Sequence, residues 1–192
     1  IRLHELGLDP KVGTDALELL HLDDEAAEVN VTPDRGYCFS MRGIAREYSH
    51  ATGADFRDPK SNAHIEMGHG FGLTINDEAP IRGRRGTDRF VLRVVKGVDV
   101  SRPTPAWMVS RLKLAGMRSV SLVVDITNYV MLELGQPTHA YDLDKIKGGL
   151  TVRRAKAGET LKTLDGQVRK LDLEDLLITD ESGPIGLAGV MG

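Results

Sequence analysis

The 192-residue sequence holds one cysteine, Cys38, which excludes an internal disulfide framework and suits a reducing, cytoplasmic setting. It has no run near the roughly 18 consecutive apolar residues of a membrane-spanning helix, so no membrane partner is expected. Excess charge is small as well: the net value of −3 argues against binding nucleic acid through bulk charge alone, while leaving room for a local basic face. No P-loop, CxxC, His-Glu-x-x-His or Gly-x-Ser-x-Gly motif occurs. The glycines of "GHGFG" (68–72) follow no convincing strand and open no helix, the context that a phosphate cradle requires. His64 and His69 lack an acidic or thiol partner at ligand spacing, so no metal site is expected. Internal repeats and low-complexity tracts are missing too.

What remains is an ordinary globular composition, 41% hydrophobic and 28% charged, long enough for one large domain or two small ones. Residues 1–17 lack a period of their own, and the acidic "HLDDEAAEVN" leads to a turn at Thr32-Pro33. Ser40 is placed to cap a helix that carries Ile44, Ala45, Tyr48 and Ala51 on one face and stops at Gly53. Residues 54–89, rich in glycine and charge and including the basic "IRGRRGTDR", read as a linker or mobile boundary. Beyond it, "RFVLRVVKGV" has the β-branched richness of a strand. Thr104 is expected to cap a helix with Pro105 in its first turn and Met108, Leu112 and Ala115 on one face before Gly116.

"SVSLVVDI" reads as a strand, followed by a helix with Ile126, Tyr129, Val130 and Leu134 at helical spacing, ended by Gly135. "GGLTVRRA", "ETLKTLDGQVRKL" and "DLLITD" read as further strands, with Asp165-Gly166 suggesting a type I′ hairpin turn. The expected class is therefore α+β, with mixed sheets, short helices and two small units. The divisions expected are 1–53, 54–89 and 90–192.

The stretch "VVDITNYVMLELGQPTHAYDLDKI" (123–146) gathers Asp125, Thr127, Asn128, His139 and Asp142 around one amphipathic segment. One reading is a helix capped by Asp125 and Thr127 and followed by a polar turn, with His139 bonded to backbone and Arg118 an exposed cation. The other is a pocket wall that recognises a polar ligand. Residue types alone leave both open.

Taken together, "GMRSVSLVVDITNYVMLELGQPTHAYDLDKIKGGLTVRRAKAGETLKTLDG" and "LLITDESGPIGLAGVMG" resemble the editing domain of the bacterial phenylalanyl-tRNA synthetase beta-subunit family. Upstream, "VNVTPDRGYCFSMRGIAREYSHATG" resembles the segment preceding that domain, usually written Thr-Pro-Asn-Arg-x-Asp-Cys-Leu-Ser-x-x-Gly-Ile-Ala-Arg-Glu. The two motifs stand in the family's order and cover most of 19–53 and 90–192. The resemblance implies an alpha/beta heterotetramer that uses ATP and Mg2+ to attach phenylalanine to tRNA(Phe), with the charging site in the alpha subunit. It also implies that the beta subunit's editing domain hydrolyses mischarged tyrosyl-tRNA(Phe), and that no cofactor binds to this stretch itself. Carried over position by position, the editing pocket includes Arg118, Asn128 and His139 as candidate catalytic groups, with Thr127 and Gly192 against substrate. An ester hydrolase needs a positioned water, a polarised carbonyl and groups that hold the terminal adenosine, and these side chains fit those needs.

The sequence departs from the family pattern at Thr138 and Tyr141, usually leucine and phenylalanine, and at Asp34 and Tyr37, usually asparagine and aspartate. Starting at Ile1 and stopping within "PIGLAGVMG", it reads as a segment of something longer, ending before the acidic residue that reads the tyrosine hydroxyl in the family. The isolated segment is accordingly expected to be inactive. The alternative reading is a non-catalytic tRNA-binding or subunit-scaffold module.

Overall fold

The computed structural model describes residues 2–59, 70–77 and 84–189. They form an α+β fold in two units. One unit gathers the described residues before 60 with Gly97–Ala140; the other gathers those from 70 to Lys96 with those from Tyr141 onward. No described helix is long and apolar enough to cross a membrane.

The first unit is helical, built from α1 (Ala16–Leu19), α2 (Met41–Thr52), α3 (Ala106–Leu114) and α4 (Leu122–Leu134). The expected caps of α2 are present. Ser40 Oγ accepts from the Gly43 N–H at 3.1 Å and donates to the Tyr37 carbonyl at 2.9 Å, and Gly53 closes the helix at φ 75°. Gly43 is sterically required, since a Cβ there would lie 1.8 Å from the Tyr37 carbonyl oxygen. The two departures in this motif are accommodated locally. Asp34 takes a left-handed turn position (φ 69°), which both Asp and Asn tolerate. Tyr37 lies against α2, its hydroxyl 2.6 Å from Glu47 and its ring 4.5 Å from the Arg46 guanidinium.

Helix α3 ends in a Schellman motif: the Met117 N–H reaches the Leu112 carbonyl at 2.8 Å and the Gly116 N–H reaches Lys113 at 3.0 Å, with Gly116 at φ 78°. Its start differs from expectation. Pro105 is the N-cap, and Thr104 does not cap, because its hydroxyl is drawn to Asp125 instead. A larger correction concerns "SVSLVVDI": it is not a strand, since α4 begins at Leu122 behind an extended Ser121. β-branching lowers helix propensity only slightly, and the packing of α4 on α2 and α3 overrides it. Asp125 and Thr127 consequently sit inside the helix rather than at its cap. The α4 end fits as expected, with Gly135 at φ 74°; a Cβ there would stand 2.9 Å from Ser40 Oγ.

The second unit is a four-stranded sheet in the order β1 (Leu73–Asn76), β2 (Leu150–Arg154), β5 (Leu176–Asp180), β6 (Gly183–Leu187), plus a hairpin of β3 (Thr160–Lys162) and β4 (Val168–Lys170). β1 runs parallel to β2, and the other pairings are antiparallel. Leu177 of β5, fully buried, packs with Ala155, Leu161 and Leu171, while Leu150 and Val152 of β2 are buried with Ile178 on the opposite face of the sheet.

The hairpin turn is not type I′: Gly166 alone has positive φ (81°), and its N–H bonds the Thr163 carbonyl at 2.8 Å. This is a type I turn followed by a left-handed glycine, favoured here because Thr163 Oγ1 and Gln167 N–H both donate to the Asp165 carboxylate. The strand expected over "RFVLRVVKGV" is also absent. Its residues pair with no described strand, and Val91, Val95 and Val98 stay exposed, so valine's β preference goes unrealised. Conversely β1 lies inside the glycine-rich stretch, where four residues give too short a pattern to read.

Candidate functional site

The sequence-derived residues with described positions, Arg118, Thr127, Asn128 and His139, all belong to the helical unit; Gly192, like His64 and His69, lies outside the described residues. Thr127 and Asn128 occupy the middle of α4, half-buried. The Thr127 hydroxyl donates back to the Val124 carbonyl at 2.7 Å, a bond that leaves its lone pairs available. Arg118 is exposed, two residues beyond the Gly116 stop of α3.

A buried carboxylate links these two places. Asp125 of α4 is fully buried; Oδ1 accepts the Val120 N–H at 2.9 Å, and Oδ2 accepts the hydroxyls of Ser119, at 2.6 Å, and of Thr104. Ser119 and Val120 directly follow Arg118 in the chain. Asn128, three residues on from Asp125, projects from the neighbouring part of the same helix face. These bonds tie the residues that follow Arg118 to α4 at Asp125, about one turn before Asn128.

His139 follows in the loop after Gly135 and is exposed, yet desolvation lowers its pKa below the ordinary imidazole value. Neutral imidazole therefore prevails at pH 7, the form able to accept a proton. The same desolvation raises the Tyr141 phenol, and neither residue is free of partners. Asp142 is structural: it caps the 3-10 turn Leu143–Lys145 through the Asp144 N–H and pairs with Lys145 at 3.0 Å, a bond that lowers its pKa.

Two features escaped the sequence reading. Trp107 of α3 and Tyr129 of α4 meet edge to face at 5.2 Å, with Arg111 over the Trp107 ring and its Nη1 donating to the Tyr129 hydroxyl at 3.0 Å. Beside them a cavity of about 180 Å³ is bounded by His21, Asp23 and Asp24. The Trp107–Tyr129 pair was visible as aromatics on successive predicted helices, but no spacing rule places them together. In the sheet unit, a polar concavity of about 570 Å³ has Thr74, Thr151 and Thr179 on its floor. The three threonines are neighbours across β1, β2 and β5, and Arg153 and Lys156 flank them. Among the described residues, none of the sequence-derived site residues lines either cavity.

The sequence pattern of the B3/4 domain matches residues 86–192, and the chain belongs to that family. Over its whole length it is 69% identical to the phenylalanine--tRNA ligase beta subunit of Leifsonia xyli subsp. xyli, covering 23% of that protein. It is 57% identical to the beta subunit of Streptomyces avermitilis over 95% of this chain and 21% of that protein. Against the Bifidobacterium longum beta subunit the identity is 52%, over 95% of this chain and 23% of that protein. The chain thus spans less than a quarter of the length of these curated relatives.

Proposed function

We propose that this chain is the part of a phenylalanine-tRNA ligase beta subunit that carries one wall of a hydrolytic editing site for mischarged tyrosyl-tRNA(Phe). The observation that carries the reading is similarity along the whole of this chain to a segment of such beta subunits, with Arg118, Thr127, Asn128 and His139 standing at the family's motif positions. In this reading residues 90–192 are the N-terminal part of the editing domain and residues 1–53 the segment before it. The parent enzyme is a cytoplasmic alpha/beta heterotetramer that charges tRNA(Phe). ATP and Mg2+ serve the charging reaction in the alpha subunit, and no residue of this chain is assigned to hold them.

The physical need for editing is plain. A pocket shaped for phenylalanine rejects an isostere that adds one hydroxyl by only about 10²-fold, so a second site inspects the product. Hydrolysis adds water to the ester carbonyl, passes through a tetrahedral oxyanion, and releases tyrosine and the ribose hydroxyl. Neutral His139 takes a proton from the water or holds the ribose hydroxyl. Asn128 offers amide hydrogen bonds to the aminoacyl group, Thr127 a hydroxyl. Arg118 meets a phosphate or the developing oxyanion. Gly192 lets the main chain approach the ligand closely.

The test compares hydrolysis of preformed tyrosyl-tRNA(Phe) with phenylalanine activation in the assembled enzyme. His139→Ala is expected to slow hydrolysis about 10²-fold and leave activation unchanged, because the two reactions use separate sites. Undiminished hydrolysis would return His139 to an ordinary loop histidine and favour the tRNA-binding or scaffold reading.

A further inference from the structure

Asp125 interrupts the apolar run "LVVDITNYV" in the first turn of α4, is fully buried, and spends its carboxylate on Ser119 and Val120, just before the helix, and on Thr104. A buried carboxylate is costly unless well bonded, so it persists where it holds something in place. What it holds is sharply delimited. On one side of Arg118 the Schellman bond from the Met117 N–H to Leu112 pins the chain to α3. On the other, Asp125 grips the Ser119 hydroxyl and the Val120 N–H, and through Thr104 it also fastens the entry to α3. Arg118 is the one residue between two pinned points, with its side chain exposed.

We propose that Asp125 is a positioning residue for the editing reaction. By clamping the backbone after Arg118, while the Schellman bond holds Met117 before it, Asp125 aims the guanidinium along the face of α4 that presents Asn128. This deepens the function proposed above and rests on it. The benefit is preorganisation: a flexible arginine would have to be ordered anew in each transition state, whereas a clamped one is held ready.

Ser119 gives access to the clamp without disturbing the core, being only half-buried. In the assembled enzyme, hydrolysis of tyrosyl-tRNA(Phe) is measured for Arg118→Ala, Ser119→Ala, their combination and Ser119→Thr, with phenylalanine activation as the control. Arg118→Ala is expected to cost about 10²-fold and Ser119→Ala about 5- to 20-fold, both in the hydrolytic rate constant. Once Arg118 is gone, Ser119→Ala should cost no more than about 2-fold, and Ser119→Thr should restore the parental rate, because the clamp acts only through the arginine. An equal Ser119→Ala penalty in both backgrounds would overturn the positioning role while leaving the editing reading in place. A silent Arg118→Ala would remove the assigned role of Arg118 and the clamp's purpose together.

Discussion

Among the described residues, the fully buried large side chains of the helical unit are one leucine and one aspartate, Leu112 and Asp125; in the sheet unit they are Leu177 and Val152. The helical unit has few buried apolar residues and fastens its elements through polar groups: Ser40 at the start of α2, Ser110 of α3 on the His21 carbonyl, and Asp125 between α3 and α4. The sheet unit buries more apolar side chains, among them Leu150, Val152, Leu161, Leu171 and Leu177, together with a charged pair. The Asp77 carboxylate, fully buried, meets Arg154 at 2.7 Å, and Arg153 forks onto Glu159 at 2.6 and 2.9 Å. Polar fastening is directional and fixes where a side chain points, whereas apolar packing fixes volume. The residues proposed for recognition lie in the unit that leans more on directional fastening.

The comparison can be broken most easily at the two buried centres. Leu177→Ala should cost about 3–4 kcal/mol, read as faster amide exchange confined to the sheet strands. Exchange that accelerates equally in α3 and α4 would mean that the units do not separate in this way. Asp125→Ala removes no large apolar volume but strands two hydroxyls and one N–H, for about 2–3 kcal/mol lost in the helical unit. A neutral or stabilised Asp125→Ala would show that polar fastening is not what holds that unit.

The smallest effect is one of pH. Hydrogen bonds from Arg153, joined by the Lys156 N–H and nearby positive charge, hold Glu159 down to about 2 from an ordinary 4.5. A lowered folded-state pKa gives stability that is present above 4.5 and lost as pH falls toward 2. With partial solvent screening this amounts to about 1–2 kcal/mol, and Glu159→Gln should flatten the acid-side slope in denaturant midpoints by that amount, leaving the share of other lowered carboxylates such as Asp77 and Asp180. An undiminished slope after the substitution would assign all of it to those other carboxylates.

How far the sequence revealed the molecule follows the same division. Local chemistry was legible: Ser40 and Gly53 bracket α2, Gly116 and Gly135 end α3 and α4, and the alternation of β2 and the hairpin turn residues mark strands. Wherever a distant partner decided the outcome, the reading failed. Thr104 looked like a cap until Asp125, 21 residues on, claimed its hydroxyl. "SVSLVVDI" looked extended because the helices that α4 packs on are invisible locally. "RFVLRVVKGV" looked like a strand because propensity says nothing about whether an edge is available to pair with. For the candidate site, family resemblance supplied the expected residues, but the tie between the Arg118 segment and α4 could not be read from the sequence. It depends on an aspartate that read as a cap.

The solitary thiol of Cys38 lends itself to chemistry of another kind. It is buried in the short turn Gly36–Cys38, packed so closely under α2 that a Cβ on Gly43 would lie 3.0 Å from the Cys38 Cα. Because the chain has one cysteine, a thiol-reactive dye has a single target, reachable only when the start of α2 lifts away from that turn. Labelling rate against reagent concentration therefore works as a clock for that opening. It times the breathing of the polar-fastened unit without a mutation, an isotope or a tRNA.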